Sequence, residues 1–151
     1  QLLLTCSNEL FGVQNTEQII EYAVKNLLAD LPDEPLWRDG SGLSRYNLFT
    51  PRSIAALLKK IYNKIPEDRI FALLPAGGAT GTIEKWYGGK AQAYVFAKTG
   101  TLSNVHALSG FVKTKSGKTL VFSFMHQNFT DGTKPLKEEM EKVLEWIYEN
   151  G

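Results

Sequence analysis

Near residue 92 the apolar pattern of this chain changes period, and no single helix or strand can be written across that point. Beyond it, Val105 to Thr114 and Thr119 to His126 are rich in β-branched and aromatic residues. They are separated by Lys115-Ser116-Gly117-Lys118, a short glycine-containing connection of the hairpin type. Ala93 to Lys98 supplies a third strand just before them. Ahead of residue 92 the spacing is helical. Leu2, Leu3, Cys6 and Leu10 share one face of a first helix over Gln1 to Phe11, which Gly12 ends. Asn15, with Gln18 three residues on, opens a second helix whose apolar face runs from Ile19 to Leu31 and stops at Pro32. Thr50-Pro51 opens a third, carrying Ile54, Leu57, Leu58, Ile61 and Ile65. A short helical stretch, Asp68 to Leu74, leads into an irregular loop over 75–81. A last helix begins at Pro135 with Leu136, Met140, Val143, Leu144 and Ile147 on one side. The expected class is α+β: helices, then a three-stranded antiparallel meander, then a C-terminal helix, all within one unit spanning 1–151.

Composition narrows the function classes. Seventeen basic residues face sixteen acidic ones for a net charge of +1, with no basic stripe, so nucleic acid is not an expected partner. Apolar residues at 43% suit a chain that buries a real core. Cys6 is the one cysteine, so no internal disulfide can form, and among Leu2, Leu3 and Leu4 it reads as an inert buried thiol.

Lys98-Thr99-Gly100, placed at the end of the first strand, is the strongest chemical candidate. An ammonium and a hydroxyl side by side can hold a carboxylate. A glycine removes the side chain that would block a ligand lying along the strand. The tripeptide alone is weak: Lys115-Ser116-Gly117 repeats the pattern and is assigned to a hairpin turn.

Context strengthens it. Asp39-Gly40-Ser41-Gly42-Leu43-Ser44-Arg45-Tyr46-Asn47 resembles the D-G-S-G-L-S-R-x-N signature of the class C low-molecular-mass penicillin-binding proteins. Leu74-Pro75-Ala76-Gly77 with Gly81-Thr82, then Ala97-Lys98-Thr99-Gly100-Thr101-Leu102, then Leu108-Ser109-Gly110-Phe111 resemble three further segments of that family in the same order. The resemblance covers the chain from about Gln1 onward, and it implies a β-lactamase/transpeptidase-like fold.

The resemblance also implies an activity, that of a serine-type D-Ala-D-Ala carboxypeptidase or endopeptidase acting on peptidoglycan stem peptides in the bacterial periplasm or cell envelope. A serine from an S-x-x-K motif attacks the D-Ala-D-Ala carbonyl with its lysine as base, and β-lactams acylate the same serine. Lys98 is then catalytic through its positive charge and a proton-relay contact. Thr99 and Gly100 bind the substrate's terminal carboxylate and backbone. The Thr101 N–H is one of two oxyanion donors. No metal or cofactor is implied.

No serine here is followed three residues on by lysine, and no S-x-N occurs. The expectation is therefore the C-terminal portion of such a domain, truncated at its N-terminus, carrying one wall of the site without the nucleophile and inactive alone. In the family two further strands complete the sheet. This chain is thus expected to self-associate, through the open edge at Leu120, Val121, Phe122 and Phe124 or by swapping its first helix. A non-catalytic module that holds peptidoglycan or a protein partner in the same groove is the competing reading.

Other features read as structural. Gly77 to Thr82 lacks the G-K-[ST] ending of a phosphate loop. His106 and His126 lie in strands without further ligands at metal-site spacing, so both are expected to be structural. Ser41 and Ser44 read as turn residues with Asp39 anchoring their loop, and Trp37, Trp86 and Trp146 as core or cleft walls.

Overall fold

The computed structural model describes residues 1–151. The chain forms two compact units, Gln1–Leu57 and Leu58–Gly151.

In the first unit, α1 (Leu2–Phe11) ends at Gly12, whose left-handed φ of 71° lets its N–H reach Asn8 O. The side chain of Ser7, fully buried, donates to Val13 O at 2.7 Å and accepts from Asn15 N at 3.1 Å, which fixes the turn into the next helix. α2 (Thr16–Asn26) is capped by Asn15, whose side chain accepts from Gln18 N. Ile19, Ile20 and Ala23 form its buried stripe. The helix stops at Asn26, five residues before the end that its apolar period predicts. The N–H groups of Leu27 and Leu28 both return to Ala23 O, closing the last turn. Pro32 disfavours helical geometry only at Leu31, and the leucines of 27–31 continue the apolar pattern without continuing the helix. Cys6 is half-buried rather than buried.

A polar clamp centred on Asp33 starts α3 (Pro51–Tyr62). The Asp33 carboxylate accepts from Thr50 Oγ1 at 2.5 Å and from Arg52 Nε at 2.6 Å, with a second Arg52 nitrogen on its other oxygen. The buried Ser53 hydroxyl donates to Asp33 O at 3.0 Å and accepts from Asp33 N at 3.1 Å. Thr50 caps the helix as expected, accepting from Ser53 N. Arg52 first, then Thr50, hold the Asp33 carboxyl down at about 2 against the opposing effect of burial. A carboxyl depressed in the folded state stabilises that state fully above its unfolded value of 3.8 and loses the contribution as pH falls toward about 2. Amide exchange at Asp33 and Ser53 is therefore expected to accelerate across that window, and an Asp33→Asn variant should show no such step.

The second unit is built on a meander of β1 (Val95–Leu102), β2 (Val105–Lys113) and β3 (Thr119–Gln127), in that spatial order and all antiparallel. Val95 pairs with Val112 and Leu102 with Val105 across the first hairpin, Val105 with Gln127 and Lys113 with Thr119 across the second. The first strand is longer than the sequence reading, which ended it at Lys98. A two-residue turn at Ser103-Asn104, with Asn104 at φ 60°, keeps Gly100, Thr101 and Leu102 in register with β2. The tripeptide thus sits within the strand and not at its end.

One face of the sheet carries Val95, Ala97, Leu108, Val112 and Phe122. These pack on Met140, Leu144 and Ile147 of α5 (Lys134–Asn150) and on Ile83 and Tyr87. On the other face Phe96 stacks on Phe71 of α4 (Glu67–Leu73) at 4.3 Å, and Phe111 contacts Phe71 and Tyr62. Phe122 is buried and Phe124 packs against the core, while β3 itself stands at the edge of the sheet. Trp86 packs against the core as read, whereas Trp146 is 66% exposed on the outer side of α5.

The class expected from the sequence is the one found. Its tightest point is Gly110, where an added Cβ would lie 2.1 Å from Phe96 O and 2.6 Å from Ala97 Cα. The obstacle is backbone of the neighbouring strand and cannot rotate away. Gly110→Ala is expected to destabilise the unit by about 3 kcal/mol, the upper range for overpacking, read as a shift in urea midpoint.

Candidate active site

Antiparallel strands point the N–H and C=O of alternate residues to opposite sides. On β1 the side is fixed by two bonds to the preceding loop. Ala97 N donates to Pro75 O at 3.0 Å, and Gly77 N donates to Val95 O at 2.8 Å. Odd-numbered residues of β1 therefore face away from β2. The loop 75–77 covers this outer edge only as far as Ala97. Beyond it, the backbone groups of Thr99 and Thr101 face outward along an open edge.

Four side-chain facts define the chemistry there. Lys98 is exposed, and its ammonium reaches around the edge to donate to Thr99 O at 2.7 Å, with no carboxylate paired to it. Thr99 Oγ1 shares a 2.8 Å hydrogen bond with Thr82 Oγ1, which stands on the 3-10 turn Gly81–Ile83. Thr101 Oγ1 shares another, also 2.8 Å, with His106 Nδ1. At Gly100 an added Cβ would meet nothing nearer than Ala107 Cβ at 3.9 Å, so the fold itself has room for a side chain at that position. An ammonium with no carboxylate partner, two adjacent hydroxyls, an outward N–H and a bare strand edge are groups that can bind an anion and an extended backbone.

Lys98, Thr99, Gly100 and Thr101 thus lie together on one edge strand, with the backbone of Thr99 and Thr101 outward and that of Lys98 and Gly100 toward β2. Thr82 belongs to the Gly81-Thr82 segment of the sequence, which carries no role by itself, and the fold brings it to Thr99. His106 was read as structural, and its contact with Thr101 arises from their cross-strand register. The second tripeptide, Lys115-Ser116-Gly117, forms the β2–β3 turn as expected, with Gly117 N bonded to Thr114 O.

In the other unit the Asp39–Asn47 loop is organised by its own polar groups. Asp39 Oδ1 accepts from Ser41 N at 3.0 Å and from Ser41 Oγ at 2.9 Å, so this serine lowers the carboxyl below its usual range. Asn47 Oδ1 accepts from Arg38 N and Asp39 N, and Trp37 Nε1 donates to Asp39 O. Ser41 and Ser44 each accept from a backbone N–H two residues on, so both act as turn residues.

Comparison with known proteins matches residues 23–149 to the model of the D-Ala-D-Ala carboxypeptidase 3 (S13) family. A D-alanyl-D-alanine carboxypeptidase of an Actinomadura species is 37% identical over 123 residues, covering 78% of this chain and 22% of that protein. The D-alanyl-D-alanine carboxypeptidase DacB of Haemophilus influenzae is 29% identical over 111 residues, covering 72% of this chain and 23% of that one. The crystal structure of penicillin binding protein 4 from H. influenzae superposes with a TM-score of 0.80 at 25% identity, over 96% of this chain and 35% of that chain. The same protein complexed with a β-lactam gives 0.82 over 98% and 37%. The chain therefore spans less than a quarter of these curated relatives' length.

Proposed function

Because the chain belongs to the D-Ala-D-Ala carboxypeptidase 3 (S13) family, we propose that it forms one wall of a serine D,D-peptidase site acting on peptidoglycan stem peptides in the bacterial envelope. The observation that carries this reading is the open half of β1. Just where the covering loop ends, the outward backbone of Thr99 and Thr101 sits beside the unpaired Lys98 ammonium. A stem peptide ending in D-Ala-D-Ala lies along that edge as an added strand. Its terminal carboxylate is held by Thr99, with Thr82 fixing the hydroxyl, and by the charge of Lys98. The scissile carbonyl then sits toward the Thr101 N–H, which stabilises the negative oxygen of the tetrahedral intermediate. Lys98 also relays a proton toward the leaving amine. The nucleophile and its base come from an S-x-x-K sequence outside these 151 residues.

Mass spectrometry after incubation with a penicillin tests the division of labour. The 151-residue chain alone is expected to show no adduct. A polypeptide joining it to its S-x-x-K region should gain the mass of one penicillin and release D-alanine from a D-Ala-D-Ala peptide. An adduct on the chain alone overturns the division of labour, and no adduct on the joined polypeptide overturns the peptidase reading. Alone, the chain is further expected to pair with a second copy through the free edge of β3.

A further inference from the structure

His106 stands in the middle of a cross-strand row, with Thr101 of β1 opposite it on one side and His126 of β3 on the other. It is fully buried. Its Nδ1 is bonded to Thr101 Oγ1 at 2.8 Å, while its Nε2 has no partner, and neither has the buried Nδ1 of His126. Leaving a buried ring nitrogen unpaired is costly. Leu108, two residues on and on the same face of β2, fills its place with an aliphatic side chain and incurs no such cost. What the imidazole provides that a leucine could not is its bond to Thr101.

That bond matters because of where Thr101 lies. Beyond Ala97 the outer edge of β1 has no backbone partner, and Thr101 is exposed one residue from the end of the strand. We propose that His106 is a positioning residue, clamping the Thr101 side chain from the sheet interior and thereby holding the Thr101 N–H at the outer edge where the oxyanion develops. The proposal rests on the peptidase reading above. A donor in an oxyanion site contributes only if it is already in place when charge develops, so a tether on the donor residue acts on the rate and not on ground-state binding.

Protonation sets the clamp's range. The charged groups acting on His106 are Lys137 of α5 and His126 of β3, both capable of positive charge, while β1 offers only the neutral Thr101. Burial first, then these neighbours, hold its basicity below the ordinary histidine value of 6.5. The imidazole is therefore neutral throughout the neutral range. Below 6.5 the unfolded chain takes up the proton before the folded one, so the stability of the clamped state falls as pH drops toward the folded value. Charging His106 leaves Nδ1 able to donate to Thr101 Oγ1, but it places a positive charge in a buried row facing Lys137 and so disfavours the arrangement that holds Thr101.

Two variants separate positioning from packing. His106→Leu keeps the volume and loses the bond. His106→Gln keeps a hydrogen-bonding group and cannot titrate. In the serine-bearing polypeptide, His106→Leu is expected to slow penicillin acylation about tenfold with the half-saturating concentration unchanged, consistent with a small displacement of one catalytic donor. His106→Gln should stay within about threefold of wild type and lack the extra fall in rate below pH 6.5. Thr101→Val should give the same loss as His106→Leu, and the double variant no more than either. In this chain, the Thr101 amide resonance should move as His106 titrates and stay fixed in His106→Gln. Wild-type rates in His106→Leu, or a Thr101 amide indifferent to acid, would overturn the clamp while leaving the peptidase reading intact. Failure of the unmutated serine-bearing protein to acylate removes both.

Discussion

Acylation by a penicillin is expected to slow by about two to three orders of magnitude when Lys98 is replaced by alanine in the serine-bearing polypeptide. The size of the effect follows from what the site lacks. No carboxylate is paired with Lys98, and its ammonium lies against the outward carbonyl of Thr99, at the point where the covering loop leaves β1 open. Removing it takes away the one positive charge on β1, which on the proposed reading faces both the substrate carboxylate and the developing oxyanion. Thr99→Val is a milder change with a different signature. It keeps the branched shape and deletes the hydroxyl held by Thr82, so it should weaken capture of substrates ending in a free carboxylate by roughly tenfold. Because Lys98 is exposed and Thr99 half-buried, neither substitution should lower the unfolding free energy by more than about 1 kcal/mol. Stopped-flow acylation rates alongside urea curves check both statements. Wild-type acylation in both variants would remove this tripeptide from the site.

How far the sequence could foresee this arrangement depended on the range of the interactions involved. The helices and the meander were legible because burial imposes a period on neighbouring residues, as in Ile19, Ile20 and Ala23 of α2 or the alternation along β2. Boundaries failed where a local signal conflicted with a distant one. The β-favouring run of the first strand reads as Ala93 to Lys98, but pairing of Gly100 with Ala107 across the Ser103-Asn104 turn carries β1 on to Leu102. The leucines of 27–31 suggested more helix, but the N–H groups of Leu27 and Leu28 both return to Ala23 O and close it there. Lys98, Thr99, Gly100 and Thr101 could be placed together because they are contiguous. Thr82 and His106 could not be joined to them. A hydroxyl pair 17 residues apart and a cross-strand histidine leave no mark on periodicity or composition. The sequence likewise showed a hydrophobic edge strand at Leu120 to Phe124, but not which of its faces α5 covers.

That same register decides how the chain meets a second copy of itself. Since β1 turns its even-numbered backbone groups toward β2, β2 turns its even-numbered groups toward β3, and the outward N–H and C=O groups of β3 belong to Val121, Ser123 and Met125. Natural sheets protect such an edge with lysine, proline, a bulge or an inward charge. From Thr119 to Met125 this strand has none of them. Two copies related by a two-fold axis at Ser123 bring Val121 of each opposite Met125 of the other on one face, extending the sheet from three strands to six. Apolar cross-strand pairs of this kind each add a few tenths to 1 kcal/mol beyond the backbone bonds. Light scattering at high concentration is therefore expected to report the mass of two 16.9 kDa chains. Val121→Pro should return the monomer without unfolding it, because the N–H it deletes faces away from β2 and makes no bond in the sheet. A clean monomer of the unmutated chain would refute edge pairing, and a dimer that survives Val121→Pro would assign the contact to exchange of α1 instead.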